Sequence, residues 1–533
     1  MLFLPLLLAA ADPAAPLIPP AQIKDDVREL SSDAFAGRGP GEAGEDATVA
    51  FLQRQFAAAG LEPGGENGSW FQSVPLVRLD RLPGATMALS IGGRAMPLAI
   101  GQQATLGLTN PGRTVIDHAP LVFAGYGIVD PKTGHDDFAG TDMTGKVAVV
   151  LANDPDFEAG RDLGFEGRRL TIAGRVGTKF AAAARAGALG VLVIHEDAAA
   201  SYPFSQVAQT LPSMAPAPAA ASPLQMTGWL DRSAWQRLLA DTGMDLAQLK
   251  EQARKPGFRA KPIANVTLSA TGEARATPVT SRNVIARLPG ASRPDEVVLF
   301  GAHWDANGTN GPDATGDAIR NGAVDNGIGT AELLAVARAF AKGPRPARTV
   351  MFAAWTAEEK GLLGAEHYAA HPLAPLARTV AVINLDPHVA VPTARTVELI
   401  GGGRTTLEDD LTRVAAEQGL RVVPEPNPEA GWYFRSDHYP FARAGVPALA
   451  FRIGRDLKAG GTQAGSRIVD AYNARCYHQP CDQFDAAWTA EGAAQEASLA
   501  LSLGRQLANA TTWPRWTDPA LAAIRDRTAA ERR

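Results

Sequence analysis

Three apolar runs, residues 296–301, 349–355 and 379–384, constrain this chain most. Each is rich in β-branched and aromatic residues and lacks the polar alternation of a half-exposed strand, so each reads as a strand covered on both faces. Helix-like segments separate them, which predicts a mostly parallel sheet between two helical layers. Ligands of such sheets bind in the crevice beyond the carboxyl ends of the strands. Here every run leads into polar residues: His303-Trp304-Asp305 after the first, Glu358-Glu359 after the second, and Asp386 after the third. Asp325-Asn326 and Tyr477-His478 complete an ordered set of metal-ligand types, which is expected to converge in space.

The tripeptide His-x-Asp alone carries little information, because it occurs three times, at His135/Asp137, His195/Asp197 and His303/Asp305. The first two have no companion carboxylates at strand ends and read as turn or surface residues. His303 belongs to a set. Two divalent metals about 3.5–4 Å apart need a bridging carboxylate, about two private ligands each, and a water held between them. Asp325 as the bridge, His303 and Asp386 on one metal, and Glu359 and His478 on the other meet that count, and zinc suits such imidazole and carboxylate donors. Glu358 is then left over beside a ligand, free to accept a proton from the water and deliver it to a leaving amine. Asp305 is placed to accept the other imidazole N–H of His303. The expected chemistry is two-metal hydrolysis.

A chain of 533 residues predicts more than one domain, and a hydrophobic content of 46% allows large cores. The net charge of -5 gives no basic footprint for nucleic acid. Residues 1–11 are apolar, end in small residues and are too short to span a bilayer, so they resemble a signal peptide without its charged start. That predicts a periplasmic or secreted protein without a transmembrane segment. Cys476 and Cys481, the only cysteines, flank His478. A disulfide, two free thiols and thiolate ligation are the readings open to them.

The expected architecture is α/β, three layers αβα around a mostly parallel sheet, with an inserted α+β domain. The segments are a signal peptide at 1–11, the first part of the catalytic domain at 12–120, the insert at 121–265, the metal-binding domain at 266–510 and a charged tail at 511–533. Helices are predicted over 46–60, 179–186, 229–251, 330–341 and 490–509.

These residues resemble the two-zinc exopeptidases of clan MH, which include bacterial leucyl-type aminopeptidases, glutamate carboxypeptidases and mono-zinc glutaminyl cyclases. The resemblance rests on His303-x-Asp305, Asp325-Asn326, Glu358-Glu359, Asn384-Leu385-Asp386, the run Ser436-Asp-His-Tyr-Pro-Phe441 with Gly445-Val-Pro447, and Tyr477-His478. It implies two Zn2+ ions on His303, Asp325, Glu359, Asp386 and His478, Glu358 as general base, a cis bond between Asp325 and Asn326, and peptide substrates cut from the amino end. The alternatives within the family are a carboxypeptidase or dipeptidase, and outside catalysis a receptor-like homologue. Pro387 departs from the family pattern, and a small backbone adjustment is expected there. The insert resembles a protease-associated domain through Phe123-Ala-Gly-Tyr-Gly127, Asp142-x-x-Gly145-Lys146 and Lys179-Phe180 to Gly190. Gly37-Arg-Gly-Pro-Gly41 resembles the start of such catalytic domains. Tyr433, Arg435 and Tyr472 are candidates for the substrate cleft, and His438 for a core histidine. Arg435, Arg452, Arg455 and Arg475 lie near the motifs, but no adjacent arginine pair marks a carboxylate pocket. Oligomeric state is not legible.

Overall fold

The computed structural model describes residues 17–209, 211–386 and 390–532. The expected signal peptide and Pro387 lie outside them. The three apolar runs fall in strands β2 (Arg293–His303), β3 (Arg348–Trp355) and β4 (Thr379–Asn384), preceded by the long β1 (Lys261–Leu288) and followed by β5 (Thr396–Leu399), β6 (Arg421–Pro424) and β7 (Ala448–Ile453). Their pairings give the order β1-β3-β2-β4-β7-β5-β6. β3, β2, β4 and β7 run parallel, with Phe300 opposite Phe352 and Ile383, and Ile383 opposite Leu449. β1 pairs antiparallel with β3 and β5 antiparallel with β7, while β6 runs parallel to β5.

Alternate side chains of a strand point to opposite faces, and both faces are covered here. Phe300, Ala302, Phe352 and Ala354 pack with Phe340 and Leu334 of α2 (Gly329–Lys342) and with Leu503 of α5 (Glu491–Asn509). Leu299, Met351 and Trp355 face Tyr368 and Phe441, the latter from α3 (His438–Arg443). The approach of α5 to the sheet demands Gly504, where an added Cβ would meet Phe300 Cζ at 2.3 Å. The helix predicted over 46–60 is α1 (Ala43–Ala58), which buries Val49, Leu52 and Phe56 against the same layer. α4 (Gly461–Arg475) leads into the loop that carries His478.

A second core lies across the other half of β1. Strands Gly112–Phe123, Val147–Leu151, Gly190–Ile194 and Met226–Leu230 run parallel in that order, and Thr86–Ile91 and Arg94–Pro97 join through β1. Its hydrophobic residues run from Met87 to Ala274, so strands assigned by the sequence reading to the first segment pack here. The helix predicted over 229–251 is replaced by the strand Met226–Leu230 and two helices, Arg232–Thr242 and Leu246–Ala253. Asp231 and Asp245 explain the break: each side chain accepts the N–H three residues on and caps a new start. The end of the chain is also ordered. Trp516 donates to the carbonyl of Gly445 at 2.8 Å, and Arg525 to that of Thr379 at 2.7 Å. Among the described residues no helix is long and apolar enough to cross a membrane.

Candidate metal centre

All the candidate side chains meet at the carboxyl edge of the parallel strands. His303 ends β2, Glu358 and Glu359 follow β3, Asp386 follows β4, and Asp325 stands in the irregular turn Ala323–Ile328 that feeds α2. The Asp325–Asn326 bond is cis. His478 arrives from a different direction, at positive φ in a loop closed by the Cys476–Cys481 disulfide. His303 Nε2 lies 3.3 Å from Asp325 Oδ1 and 3.7 Å from Asp386 Oδ1, while His478 Nε2 lies 3.1 Å from Asp325 Oδ2 and 3.0 Å from Glu359 Oε2. The donor atoms of His303, Asp325 and Asp386 lie within 4.8 Å of one another, and so do those of Asp325, Glu359 and His478. Asp325 is common to both groups. Glu358 belongs to neither, and its Oε2 stands 4.0 Å from His303 Nε2.

Four carboxylates around two imidazoles in a buried pocket leave a surplus of negative charge, and Asp325, Glu358 and Glu359 pair with no lysine or arginine among the described residues. Burial raises the Glu358 carboxyl well above its usual range; His303 pulls it back, while Asp437, Asp386 and Glu359 push it further up. Burial would lower His303, but Glu358 and the hydrogen-bonding carboxylates outweigh it and hold the ring well above its ordinary value. The balance is the same at His478, which rises to about 9 against its burial, chiefly through Glu359. A buried cluster so rich in carboxylate, with oxygen and imidazole nitrogen donors within 4.8 Å of one another, is one that divalent ions fit.

The supporting contacts were not all legible. Arg38, with 0% exposure, donates to the carbonyls of Leu30 (2.9 Å), Trp304 (2.7 Å), Asn321 (2.6 Å) and Gly322 (2.7 Å), binding the turn before Asp325 to the end of β2. Asp482 accepts from Val324 N (2.9 Å), Asp325 N (3.1 Å) and Tyr472 Oη (3.0 Å). Asn326 donates to the Leu385 carbonyl at 3.0 Å. Ser436 donates to Asp386 Oδ2 and accepts from Asn384 at 2.7 Å. The sequence motifs contain Asn326, Asn384 and Ser436 and the glycine-rich run contains Arg38, but no role was legible for any of them, and nothing pointed to Asp482.

The other expectations divide. Arg435 lines the centre with Trp432 and Tyr477. Tyr472 reaches it only through Asp482. Tyr433 lies in the core under Arg404 and does not line the centre. His438 is fully buried against Tyr433, and burial lowers it to about 4. His135/Asp137 and His195 are not turn or surface residues. His135 Nε2 meets Asp137 Oδ1 at 2.9 Å in the second core beside Phe165, and His195 lies among Tyr202, Phe204 and Trp229, so aromatic residues outside each tripeptide close over both rings.

Fold and site together define a three-layer α/β protein with two groups of carboxylate and imidazole side chains, each able to hold a metal ion, that share Asp325. Residues 283–502 match the model of peptidase family M28. The leupeptin-inactivating enzyme 1 of Streptomyces exfoliatus is 32% identical over 208 residues, 38% of this chain and 43% of that protein. A glutamate carboxypeptidase 2 homolog of Caenorhabditis briggsae is 32% identical over 198 residues, 32% of this chain and 24% of that protein. The chain thus spans less than half the length of these curated relatives. In fold it is similar to an aminopeptidase from Aneurinibacillus sp. strain AM-1 (TM-score 0.57, 20% identity, 93% of this chain and 95% of that one). It is also similar to BSAP, a zinc aminopeptidase from Bacillus subtilis (TM-score 0.50, 18% identity, 94% and 98%).

Proposed function

We propose that this protein is a zinc-dependent metallo-exopeptidase, an aminopeptidase that hydrolyses N-terminal residues from peptides. The observation that carries this reading is the carboxylate of Glu358, outside both ligand groups yet 4.0 Å from His303 Nε2. His303, Asp325 and Asp386 would hold one Zn2+, and Asp325, Glu359 and His478 the other. When bound, such ions polarise a carbonyl and make a water acidic near neutral pH. Glu358 takes the proton of the attacking water and returns it to the leaving nitrogen, so one carboxyl serves both halves of the reaction. Asp305 keeps Glu358 in place through the backbone.

The Cys476–Cys481 disulfide supports export to a periplasmic or extracellular compartment. We draw the second core as a protease-associated insert whose residues border the centre. The test of the main reading is a panel of aminoacyl and N-acetylated peptides offered to zinc-loaded protein. Release of N-terminal residues, with rejection of the acetylated peptides, is the expected result. Cleavage of N-blocked dipeptides at their C-terminal residue would replace it with a carboxypeptidase.

A further inference from the structure

Of the nine histidines in the chain, His367 and His371 alone are spaced by four residues. That spacing puts two side chains on one face of a helix, a turn apart. His367 lies in the last turn of the helix Leu363–Ala370, and His371 caps it, its backbone N–H donating to the carbonyl of His367 at 2.8 Å. The rings stack, with centroids 4.5 Å apart and planes inclined by 29°. His371 is exposed and His367 half-buried, so an ion from solvent can reach both. Neither belongs to the two ligand groups at the centre.

His371 Nδ1 lies 3.2 Å from the same His367 carbonyl. A ring N–H donated there leaves the lone pair on Nε2, which is how metal-binding histidines are usually fixed. Burial, and then His371, lower His367 below the ordinary histidine value, while Glu66 pulls it the other way. A ring held neutral is the form that binds metal. Tetrahedral zinc, with Zn–N bonds of about 2.0–2.1 Å, needs two such nitrogens about 3.4 Å apart. Rings already stacked come to that separation by a small turn of the exposed one. Imidazole suits zinc, nickel and copper, whereas magnesium and calcium take oxygen donors. Glu66, from the short turn Glu66–Gly68, adds the negative charge that favours a cation.

We infer that His367 and His371 form a metal site of their own, which takes one ion of the zinc, nickel and copper class through a pair of imidazole nitrogens. It shares no residue with the centre, so it goes beyond the exopeptidase reading. The site also has a place in the fold. Gln72 donates to the carbonyl of His371 at 2.8 Å and accepts from Asn283 at 3.0 Å, and Asn283 accepts the N–H of Thr356, two residues before Glu358, at 3.0 Å. An ion across the two rings ties down the helix end from which this chain of hydrogen bonds starts.

The test passes zinc-loaded protein without an affinity tag over a nickel–iminodiacetate column, and titrates the same protein calorimetrically with Ni2+. The expected result is retention that imidazole releases, and one Ni2+ bound per chain beyond the zinc already present. In His367→Gln and in His371→Gln retention is lost and the affinity for Ni2+ falls at least about tenfold, because a single imidazole gives up the chelate. His118→Gln, which removes an exposed histidine elsewhere, is expected to change neither. Elemental analysis of both site variants is expected to find the zinc content of the parent. A parent that flows through the column, or site variants that bind Ni2+ as the parent does, would overturn the site. So would zinc released in step with Ni2+ uptake, since that places the exchange at the centre. No readout depends on peptide hydrolysis, so failure here and failure of the exopeptidase reading are separate results.

Discussion

Asp305 is fully buried, and its carboxylate oxygens accept the backbone N–H groups of Glu358 (3.1 Å) and Glu359 (3.4 Å). Its main-chain carbonyl, at 3.1 Å, faces His303 Nδ1 more closely than its carboxylate does at 3.7 Å. One residue therefore fixes the loop that presents a ligand and the proposed base, and also sets which ring nitrogen of His303 points at the centre. Asp305→Asn would leave one acceptor for two N–H groups, and outer contacts of this kind are worth about 10–100-fold in metal affinity. Zinc titration against a competing chelator is expected to show that loss. Glu358→Gln is expected to behave oppositely, retaining both ions by elemental analysis while the rate falls by about 10²–10⁴-fold, the usual worth of a general base. A variant that loses metal, or one that keeps most of its rate, would contradict the role given to Glu358.

The segment from Cys476 to Asp482 does at the level of an element what Asp305 does as a residue. Its disulfide holds the loop of His478, and Asp482, next to Cys481, accepts the N–H groups of Val324 and Asp325, so the proposed private ligand His478 and the proposed bridge Asp325 hang on the same short stretch. Cys476→Ser/Cys481→Ser is expected to weaken the ion held by His478 and Glu359 first, giving about one ion per chain at chelator concentrations where the parent keeps two. Asp482→Asn acts on the shared aspartate and is expected to weaken both ions together. The sequence made the strands of this architecture plain, because β2, β3 and β4 are buried on both faces and their composition says so. It also offered His303, Asp325, Glu358, Glu359, Asp386 and His478, which the structure gathers at the centre, though not Trp432 beside them. It did not reveal α4, in which only Gly465 and Val469 are buried, so no apolar stripe announces a helix. Arg38 and Asp482 were equally hidden. Each acts on a group far away in the chain, and no local pattern records such a meeting.

At the scale of the whole molecule, β1 runs through both cores, pairing with Gly112–Phe123 and Thr86–Ile91 in its first half and with β3 in its second. The helical layer of the catalytic half holds a liability. Glu332 of α2 and Glu496 of α5 are almost wholly buried, and both oxygens of Glu332 lack a hydrogen-bond partner. Burial and then Glu496 raise Glu332 well above the usual carboxyl range, and burial raises Glu496 to about 8. An unfolded chain releases these protons near pH 4.3. Between about pH 4.3 and 8 the folded protein therefore binds protons that the unfolded chain has lost, and stability must fall as pH rises through that window. Below it the pair adds no pH-dependent cost. Glu332→Gln removes one acid and no hydrogen bond, so it is expected to raise the melting temperature by a few degrees at pH 8 and hardly at all at pH 4.5, since about 1 kcal/mol corresponds to roughly 2–4 °C in units of 150–250 residues. Thermal denaturation of zinc-loaded parent and variant at the two pH values measures it. Equal shifts at both would mean that packing, and not the retained proton, sets the effect.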